Sequence, residues 1–443
     1  MKRREFAATG LTGLAAGISG LSMNTAEAAE VKRETVKPYG VQYYERAVEV
    51  WNRASTTEFP IIIQAADRAA QTLKNGGKLY NHAHFGHMLV KELRIGRPGN
   101  PDYLPTGTYS TKDEEYDPIG KGDFLFFDGP KLRVKKAHDR GAFTLGARVP
   151  YLPNKTTPKG VLTTLAATDN LLTEDCADLV LTSGVPFCNG VLNYPEIPAV
   201  RGCPLSVQGV GNFYWMLSAE IAMRDKGKGP LGKGDKAAEY LRIVRQRGSK
   251  ILANIDRIDA VAKAMTGYVA EKANYFSFSF GCEMADENTY RASGLAMTRN
   301  IVPRGLEGKV KAGDFVIIGS ELSDTKENIE AAQAFKNAGM KIIYIGPGKT
   351  EGSVGDDLPK YTDHHIDTFS PERDGVLTVP GFDKKICPTT GVLYALTLWM
   401  LNAQFIAHMI EADMTPVLNM GGHLIGGNAF NKEVRAITDK RGY

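Results

Sequence analysis

Three groups of residues have the types and spacing that chemistry requires, and the first is a histidine triplet. His82, His84 and His87 follow one another within six positions. On an extended strand His82 and His84 point to the same side, and His87 follows at the start of the next segment. Neutral imidazoles in this arrangement could bind zinc. The alternative is a set of polar side chains that line a ligand loop without a metal, since no fourth ligand is evident.

The second group is a pair of glutamates. Glu283 follows an apolar run and stands close to Ser279, Gly281 and Cys282, and Glu92 is the parallel candidate earlier in the chain. A carboxylate in such a loop can act as a general base. The alternative is a glutamate that only stabilises the dipole at the N-terminus of a helix.

The third candidate lies in a glycine-rich tail, residues 419–427 (NMGGHLIGG). A histidine at this position, His423, could transfer protons at a nearby site or reach the site of a neighbouring subunit. The alternative is a surface histidine in a turn. A homo-oligomer therefore stays open as an interpretation.

The element that must position such residues is clearest at residues 313–346. An apolar run at 315–318 leads into a polar loop, apolar residues then recur at helical spacing at 329, 332 and 335, and a second apolar run follows at 342–345. The pattern predicts a βαβ unit whose loop holds Ser320, Ser323, Asp324 and Thr325. Such loops, at the carboxyl end of a strand and the N-terminus of a helix, favour anionic ligands.

The chain repeats this pattern. The tripeptide Gly-Asp-Phe occurs at 122 and 313, YNHAHFGHML at 80 matches YFSFSFGCEM at 275, and Cys-Pro occurs at 203 and 387, so the offset stays between 184 and 195. We expect two α/β lobes, 40–225 and 237–412, joined by a linker at 226–236, with a tail at 413–443 that completes the site. In the first lobe the pattern predicts a strand at 124–128, a helix at 134–145 and a strand at 148–152.

Composition limits the classes of function. The 443 residues are 43% hydrophobic with a formal charge of +4, and the basic residues are dispersed. These values are typical of a globular protein and disfavour nucleic acid as a partner. We expect no integral membrane span and no cofactor. The five cysteines include no CxxC pair; a Cys176–Cys188 disulfide and unpaired buried thiols are both open.

The N-terminus predicts export. Arg3, Arg4 and Phe6 precede a mildly apolar, glycine-rich run at 7–21, and an Ala-Glu-Ala tripeptide ends at Ala28. This resembles a twin-arginine signal peptide, cleaved after Ala28, and implies a periplasmic or otherwise exported protein. The alternatives are an amphipathic N-terminal helix and a membrane anchor, although the weakly apolar run would span a bilayer poorly.

The βαβ unit, with its hydroxyl-bearing loop, resembles the SIS (sugar isomerase) domain. The loop of that family reads S-x-S-G-x-T, and in this chain Ser320 and Thr325 match its first and last positions. Leu322 and Ser323 replace the second serine and the glycine. The likeness is closer to an uncharacterised SIS branch, through His87-Met88-Leu89 with Glu92-Leu93, Pro388-Thr389-Thr390, Pro416-Val417-Leu418, Gly426-Gly427 and Asn431.

The resemblance implies a parallel sheet of about five strands, in flavodoxin-like order, in each lobe. It also implies a sugar or sugar-phosphate ligand held by Ser320, Ser323, Asp324 and Thr325, with Glu283 as the base that moves a proton between C1 and C2. Further ligand-binding candidates are Ser279, Gly281, His84, His87, Thr389, Thr390, Asn419 and Asn431. The alternatives are a non-catalytic carbohydrate-binding or regulatory module and a metal-dependent enzyme that uses the histidine triplet.

Overall fold

The computed structural model describes residues 37–82, 87, 90–104, 118–129, 131–149, 152–162, 171–289 and 291–443. The predicted signal peptide lies outside the described residues. Residues 38–443 cluster as one unit, and the predicted division into lobes stays a prediction.

A first parallel sheet occupies the first half of the chain. Its strands stand in chain order, β1-β2-β3-β4, and are β1 (Leu79–His82), β2 (Phe124–Phe127), β3 (Phe143–Arg148) and β4 (Leu179–Thr182). Helices α1 (Tyr39–Ala54) and α2 (Phe59–Lys74) precede it, a 3-10 helix (Val90–Leu93) follows β1, and α3 (Leu132–Asp139) connects β2 to β3. A short antiparallel pair, β5 (Gly190–Leu192) and β6 (Gly202–Pro204), leads to α4 (Ser206–Asp225).

A second parallel sheet repeats the plan after α5 (Asp235–Ala253) and α6 (Ile255–Ala270). Its strands are β7 (Tyr275–Ser279), β8 (Arg299–Asn300), β9 (Phe315–Gly319), β10 (Lys341–Gly346) and β11 (His364–Asp367), in the order β11-β10-β9-β7-β8. Helices α7 (Met284–Thr289), α8 (Lys326–Asn337), α9 (Thr390–Glu411) and α10 (Gly427–Arg441) complete the fold. This is the flavodoxin-like order, so the predicted parallel α/β fold is confirmed. Within the described residues the first sheet has four strands, without a counterpart of β8.

The core is built around α4 and α9, whose residues are almost all buried. Helix α1 from the first half packs on α9, and α5 from the second half packs on α4. Each central helix begins three residues after a cysteine whose backbone has a left-handed conformation. These cysteines are Cys203 (φ 62°) and Cys387 (φ 59°). Tyr43 of α1 donates to the Pro204 carbonyl at 2.8 Å, as Tyr240 of α5 does to the Pro388 carbonyl at 3.1 Å. Helices α1 and α5 therefore make equivalent contacts with the segments that lead into α4 and α9.

Helix α9 is the one described helix that is long and apolar enough to cross a membrane. Its mean hydropathy is 1.3, but 83% of the apolar window is buried inside the protein. Burial between α1, α4 and α6 accounts for this composition.

Two predicted elements of the first half are wrong. The helix predicted at 134–145 ends at Asp139, and the strand predicted at 148–152 is β3, Phe143–Arg148. The cause is Gly141, whose φ of 90° ends the helix, so that Phe143 and Thr144 are free to pair with β2. The apolar residues at 143–147 thus belong to a buried strand.

All five cysteines, each within the described residues, are free thiols. Four are buried, and Cys188 is half-buried. The interpretation as unpaired thiols agrees with this arrangement.

Candidate functional site

The order in which the chain adds strands to the second sheet reverses between the parallel neighbours β7 and β9. These strands are neighbours in the sheet although β8 lies between them in the chain, and their last paired residues are Ser279 and Gly319. Crevices at such a reversal, beyond the carboxyl ends of the strands, are where open α/β sheets bind ligands. Glu283 follows β7 there, and Glu321 follows β9.

A segment from the first half reaches this crevice. Arg97, only 3% exposed, donates from Nε to Glu321 Oε1 at 3.1 Å and from Nη2 to Thr390 Oγ1 at 2.9 Å. Arg94 donates to the Gly281 carbonyl at 2.7 Å. The loops after β7 and β9 and the first turn of α9 are thereby tied to one arm, residues 90–104.

Glu92 lies at the centre of this arrangement. Its side chain is 1% exposed and lies against Gly391, because a Cβ placed on that glycine would be 1.9 Å from Glu92 Oε2. Within the described part of the chain, Glu92 Oε1 has no hydrogen-bond partner. We call Glu92, Glu283 and Glu321, with Arg94 and Arg97, the carboxylate cluster.

The electrostatics of the cluster favour a neutral Glu92. Burial raises the pKa of Glu92 to about 8; Arg97 opposes the shift, while the charges of Glu321 and Glu283 add to it. A carboxyl group of this kind is protonated near neutral pH and can either donate or accept a proton. Burial also raises the pKa of Cys282 far above its usual value, so this thiol remains protonated.

Several predicted site residues hold the crevice together. Ser279 Oγ donates to the Cys282 carbonyl at 2.9 Å and accepts from the Ala285 amide at 3.1 Å, which shapes the turn that holds Glu283. Gly281 has a φ of 71°, a value that suits glycine, and offers its carbonyl to Arg94. Thr390 accepts from Arg97 as described.

The loop serines are bonded within their own loops. Ser320 Oγ donates to the Leu322 carbonyl at 2.6 Å and accepts from Asn328 Nδ2 at 2.8 Å. Ser323 Oγ donates to Asp357 at 2.6 Å and accepts from the Thr350 amide at 2.7 Å. Their role in ligand binding stays a prediction, and each hydroxyl already has an acceptor for its proton.

The remaining predicted residues near α8 and α9 either make side-chain contacts or lie directly before a helix. Asp324 pairs with Arg373. Thr325 is the residue before α8 and makes no side-chain cap. Thr389 accepts from Arg247 at 2.6 Å and lies 3.1 Å from Ser370 Oγ. These contacts fix the entry to α9.

The histidine triplet is described only in part. His84 lies outside the described residues, His82 is buried at the end of β1, and the His87 Nδ1 atom lies 2.9 Å from Ser206 Oγ. Among the described residues no three His, Cys, Asp or Glu side chains form a group that could hold a metal. Because His84 is not described, the zinc hypothesis stays open.

Ser206 is the first-half counterpart of Thr390, at the start of α4. It accepts a hydrogen bond from Arg291 of the second half at 2.8 Å, as Thr390 accepts from Arg97 of the first half. Asn189 also donates to Ser206, at 3.2 Å. The two halves therefore exchange equivalent arginine–hydroxyl contacts, and the carboxylate cluster lies where the first-half arm meets the loops after β7 and β9.

The glycine-rich tail lies against other parts of the molecule. Burial and the charge of Lys131, which precedes α3, lower the pKa of His423, and the Ile425 amide donates to the Val161 carbonyl at 3.0 Å. Asn431 Oδ1 accepts a hydrogen bond from the Met420 amide, and Asn431 Nδ2 donates one to the Met420 carbonyl, both at 2.8 Å. The amide of Asn419 donates to the Gly294 carbonyl at 2.8 Å. The tail thus places His423 beside a first-half loop.

Sequence reasoning missed three members of the cluster, Arg94, Arg97 and Glu321, and also Gly391 beside it. Arg97 lies in a breaker-rich segment whose path no pattern reveals, and Gly391 matters only because Glu92 lies against it. Glu321 could have been found, since it follows Ser320 in the predicted loop at the carboxyl end of β9.

No protein-family model matches the chain. Its curated relatives include UPF0309 proteins from Caldanaerobacter subterraneus, 28% identical over 229 residues, and from Streptomyces griseus, 22% identical over 213 residues. These matches cover 43% and 40% of this chain but 93% and 85% of the relatives.

Solved structures with a similar fold bear names from sugar metabolism. A proposed sugar-binding protein from Salmonella typhimurium aligns with 84% of this chain and 99% of its own at 14% identity and a TM-score of 0.46. The C-terminal domain of glucosamine-fructose-6-phosphate aminotransferase from Francisella tularensis aligns with 88% and 100% at 11% identity and a TM-score of 0.44. A proposed phosphosugar isomerase from Clostridium difficile aligns with 86% and 94% at 12% identity and a TM-score of 0.45.

Proposed function

We propose that the protein binds a sugar derivative at the carboxylate cluster and interconverts its aldose and ketose forms. The observation that supports this most strongly is the pair of Glu92 and Glu283, one a buried carboxyl group with a pKa of about 8 and the other close enough to influence it. A proton-transfer isomerase requires one group that donates a proton and one that removes a proton, and the proposal assigns these roles to Glu92 and Glu283.

In the proposed reaction Glu283 removes the C2 proton of an open-chain aldose. Glu92, which is protonated, donates its proton to O1, and an enediol forms. The carboxylate of Glu92 then removes the proton from O2, and the protonated Glu283 returns its proton to C1 to give the ketose. Both glutamates end in their starting protonation states.

The ligand in this proposal has no phosphate on the loop after β9. The hydroxyls of Ser320 and Ser323 already donate to the Leu322 carbonyl and to Asp357. A phosphate would need those protons, so its binding would break both hydrogen bonds. An uncharged part of the ligand therefore fits this loop better than a phosphate does.

Glu283→Gln separates binding from catalysis. We expect the variant to bind its sugar with unchanged affinity in a thermal-shift titration, because the amide keeps the shape of the side chain, and to lose aldose–ketose turnover. The wild-type protein, at 100 times the dissociation constant, should gain about 2.7 kcal/mol of stability from its ligand.

Two outcomes would remove parts of this proposal. Binding without turnover in the wild type would favour a non-catalytic carbohydrate-binding module. A panel of sugars and sugar acids with no shift at all would contradict the ligand class. Glu327→Gln, on the exposed side of α8, is the matched control.

We also propose that the protein is exported. The support is the layout of Arg3, Arg4 and the Ala-Glu-Ala tripeptide that ends at Ala28. Mass spectrometry of the protein from its native host should give a mature form that begins at Ala29, and replacement of both arginines by lysine should retain the precursor in the cytoplasm. An uncleaved, cytoplasmic wild-type protein would contradict export.

A further inference from the structure

An open cleft of about 480 Å³ lies in the first half of the molecule, beside α1. Its lining includes the apolar residues Val50, Val191 and Leu205 and the charged residues Arg46, Glu49, Arg53 and Arg201. No member of the carboxylate cluster lines it.

The equivalent place in the second half is filled. The register set by Tyr43 and Tyr240 makes Arg247 of α5 the counterpart of Val50, and the Cys-Pro repeat makes Thr389 the counterpart of Leu205. Arg247 donates to Thr389 Oγ1 and pairs with Glu372, with side chains 11% and 14% exposed. The first half therefore has a cleft where the second half has a largely buried ion pair.

The charges around the cleft are unbalanced. Arg46 pairs with Glu49 at 2.8 Å, and Arg53 pairs with Glu58 at 3.0 Å. Arg201 is exposed and, among the described residues, makes no hydrogen bond or ion pair. One guanidinium group, with its fork of donors, is thus available at the rim to bind a carboxylate or a phosphate.

The segment that forms the opposite wall is held rigidly. Asn189 Oδ1 accepts from the amides of Leu205 and Ser206 at 3.1 and 2.9 Å, and Gly184 has a φ of 75°. A Cβ on Gly184 would be 2.8 Å from Arg53 Cδ, so the glycine lets the arginine lie along the wall. The cleft is therefore a formed feature of the fold.

We propose that this cleft is a second binding site, for a small organic anion of about monosaccharide size. The apolar lining residues would contact the carbon skeleton, and Arg201 would bind the carboxylate or phosphate. The anion would occupy the space that the Arg247–Glu372 pair occupies in the second half.

Isothermal titration of the full-length protein with gluconate and with glucose 6-phosphate tests this inference. At least one of the two anions should bind saturably, and a preference between them would identify the anionic group. Arg201→Ala should weaken that binding about tenfold. Arg304→Ala, which removes the same charge from an exposed turn, should leave it unchanged.

Val50→Arg separates occupancy of the cleft from general attraction by positive charge. The new arginine should fill the cleft as Arg247 does in the second half, and so should weaken binding although it adds a positive charge. Gly391→Ala, which disturbs the carboxylate cluster, should not affect it. Absence of saturable binding by both anions, or unchanged affinity in both cleft variants, would overturn the inference.

Discussion

Glu92 shows how burial can convert an ordinary carboxyl group into one that titrates near neutral pH. Its position against Gly391 removes water, and Arg97 compensates only in part. Because the unfolded chain has the ordinary carboxyl pKa, the folded protein holds a proton that the unfolded chain releases. The contribution of Glu92 to stability is therefore complete below about pH 4.5 and is lost as the pH rises to about 8.

This sign gives a prediction for Glu92→Gln. Between pH 5 and pH 8 the wild-type protein should lose stability relative to the variant by on the order of 4 kcal/mol, at 1.36 kcal/mol per pH unit. Denaturant unfolding of both proteins from pH 5 to pH 9 measures the difference. A difference that does not change with pH would show that Glu92 is ionised throughout, which would contradict its role as the acid.

The thiol of Cys282 lies in the same buried environment as Glu92, but burial keeps it protonated and unreactive at neutral pH. Burial, with the charges of Glu321 and Glu92, keeps its pKa far above the usual value. A neutral thiol beside the carboxyl groups contributes packing and excludes water. It does not supply a nucleophile at neutral pH.

At the scale of elements, the first turn of α9 combines a helix start with a binding surface. Thr390 accepts from Arg97, and the absence of a side chain at Gly391 makes room for Glu92. A glycine in a helix usually lowers stability. Here a glycine is required because the Glu92 carboxyl group lies against Gly391.

Gly391→Ala tests that requirement. Although alanine favours helix, the added Cβ would displace the Glu92 carboxyl group, so we expect a loss of about 1–3 kcal/mol and loss of turnover. Gly267→Ala in α6, where a Cβ would meet nothing within 4 Å, should instead gain about 0.5–1 kcal/mol. Equal effects at both positions in urea unfolding would show that Glu92 does not depend on Gly391.

The elements also show where sequence reasoning succeeds. Strands β9 and β10 with α8 were predictable, because an apolar run, a polar loop and a helical stripe follow one another in residues 313–346. The helix predicted at 134–145 failed because apolar residues on both sides of Gly141 fit helical spacing, while the glycine itself separates a helix from a strand. The positive φ of Gly141 decides between the two readings.

At the scale of the whole molecule, the site depends on contacts between the two halves. The sequence repeat predicts a duplication, which stays a prediction; the hydrogen bonds from Tyr43 and Tyr240 to the prolines before α4 and α9 are equivalent. The crossing of Arg97 to Glu321 and Thr390 was not predictable, because residues 224 and 293 positions apart meet only through tertiary packing. The sequence therefore predicts Glu92 and Glu283 as separate candidate residues, but it does not predict that they lie in one cluster.

Arg97→Ala should lower the stability of the folded protein, because it removes a contact between the two halves. Removal of one partner from a pair with side chains 2% and 17% exposed leaves Glu321 with a poorly compensated charge, and we expect a loss of about 3 kcal/mol. Lys326→Ala, which breaks a pair with side chains 82% and 60% exposed, should cost below about 0.5 kcal/mol. Chemical denaturation compares them, and similar losses would show that the crossing contact contributes little.

Proton transfer by Glu283 and Glu92 is the central claim, and exchange of substrate hydrogen with solvent tests it most directly. The wild-type protein should be incubated in D₂O with each sugar that shifts its melting temperature, and the C2 proton followed by NMR. The proposed reaction predicts loss of the C2 proton signal with the wild type and its retention with Glu283→Gln. Retention of that signal by every bound sugar with the wild type, or equal exchange by both proteins, would contradict the claim.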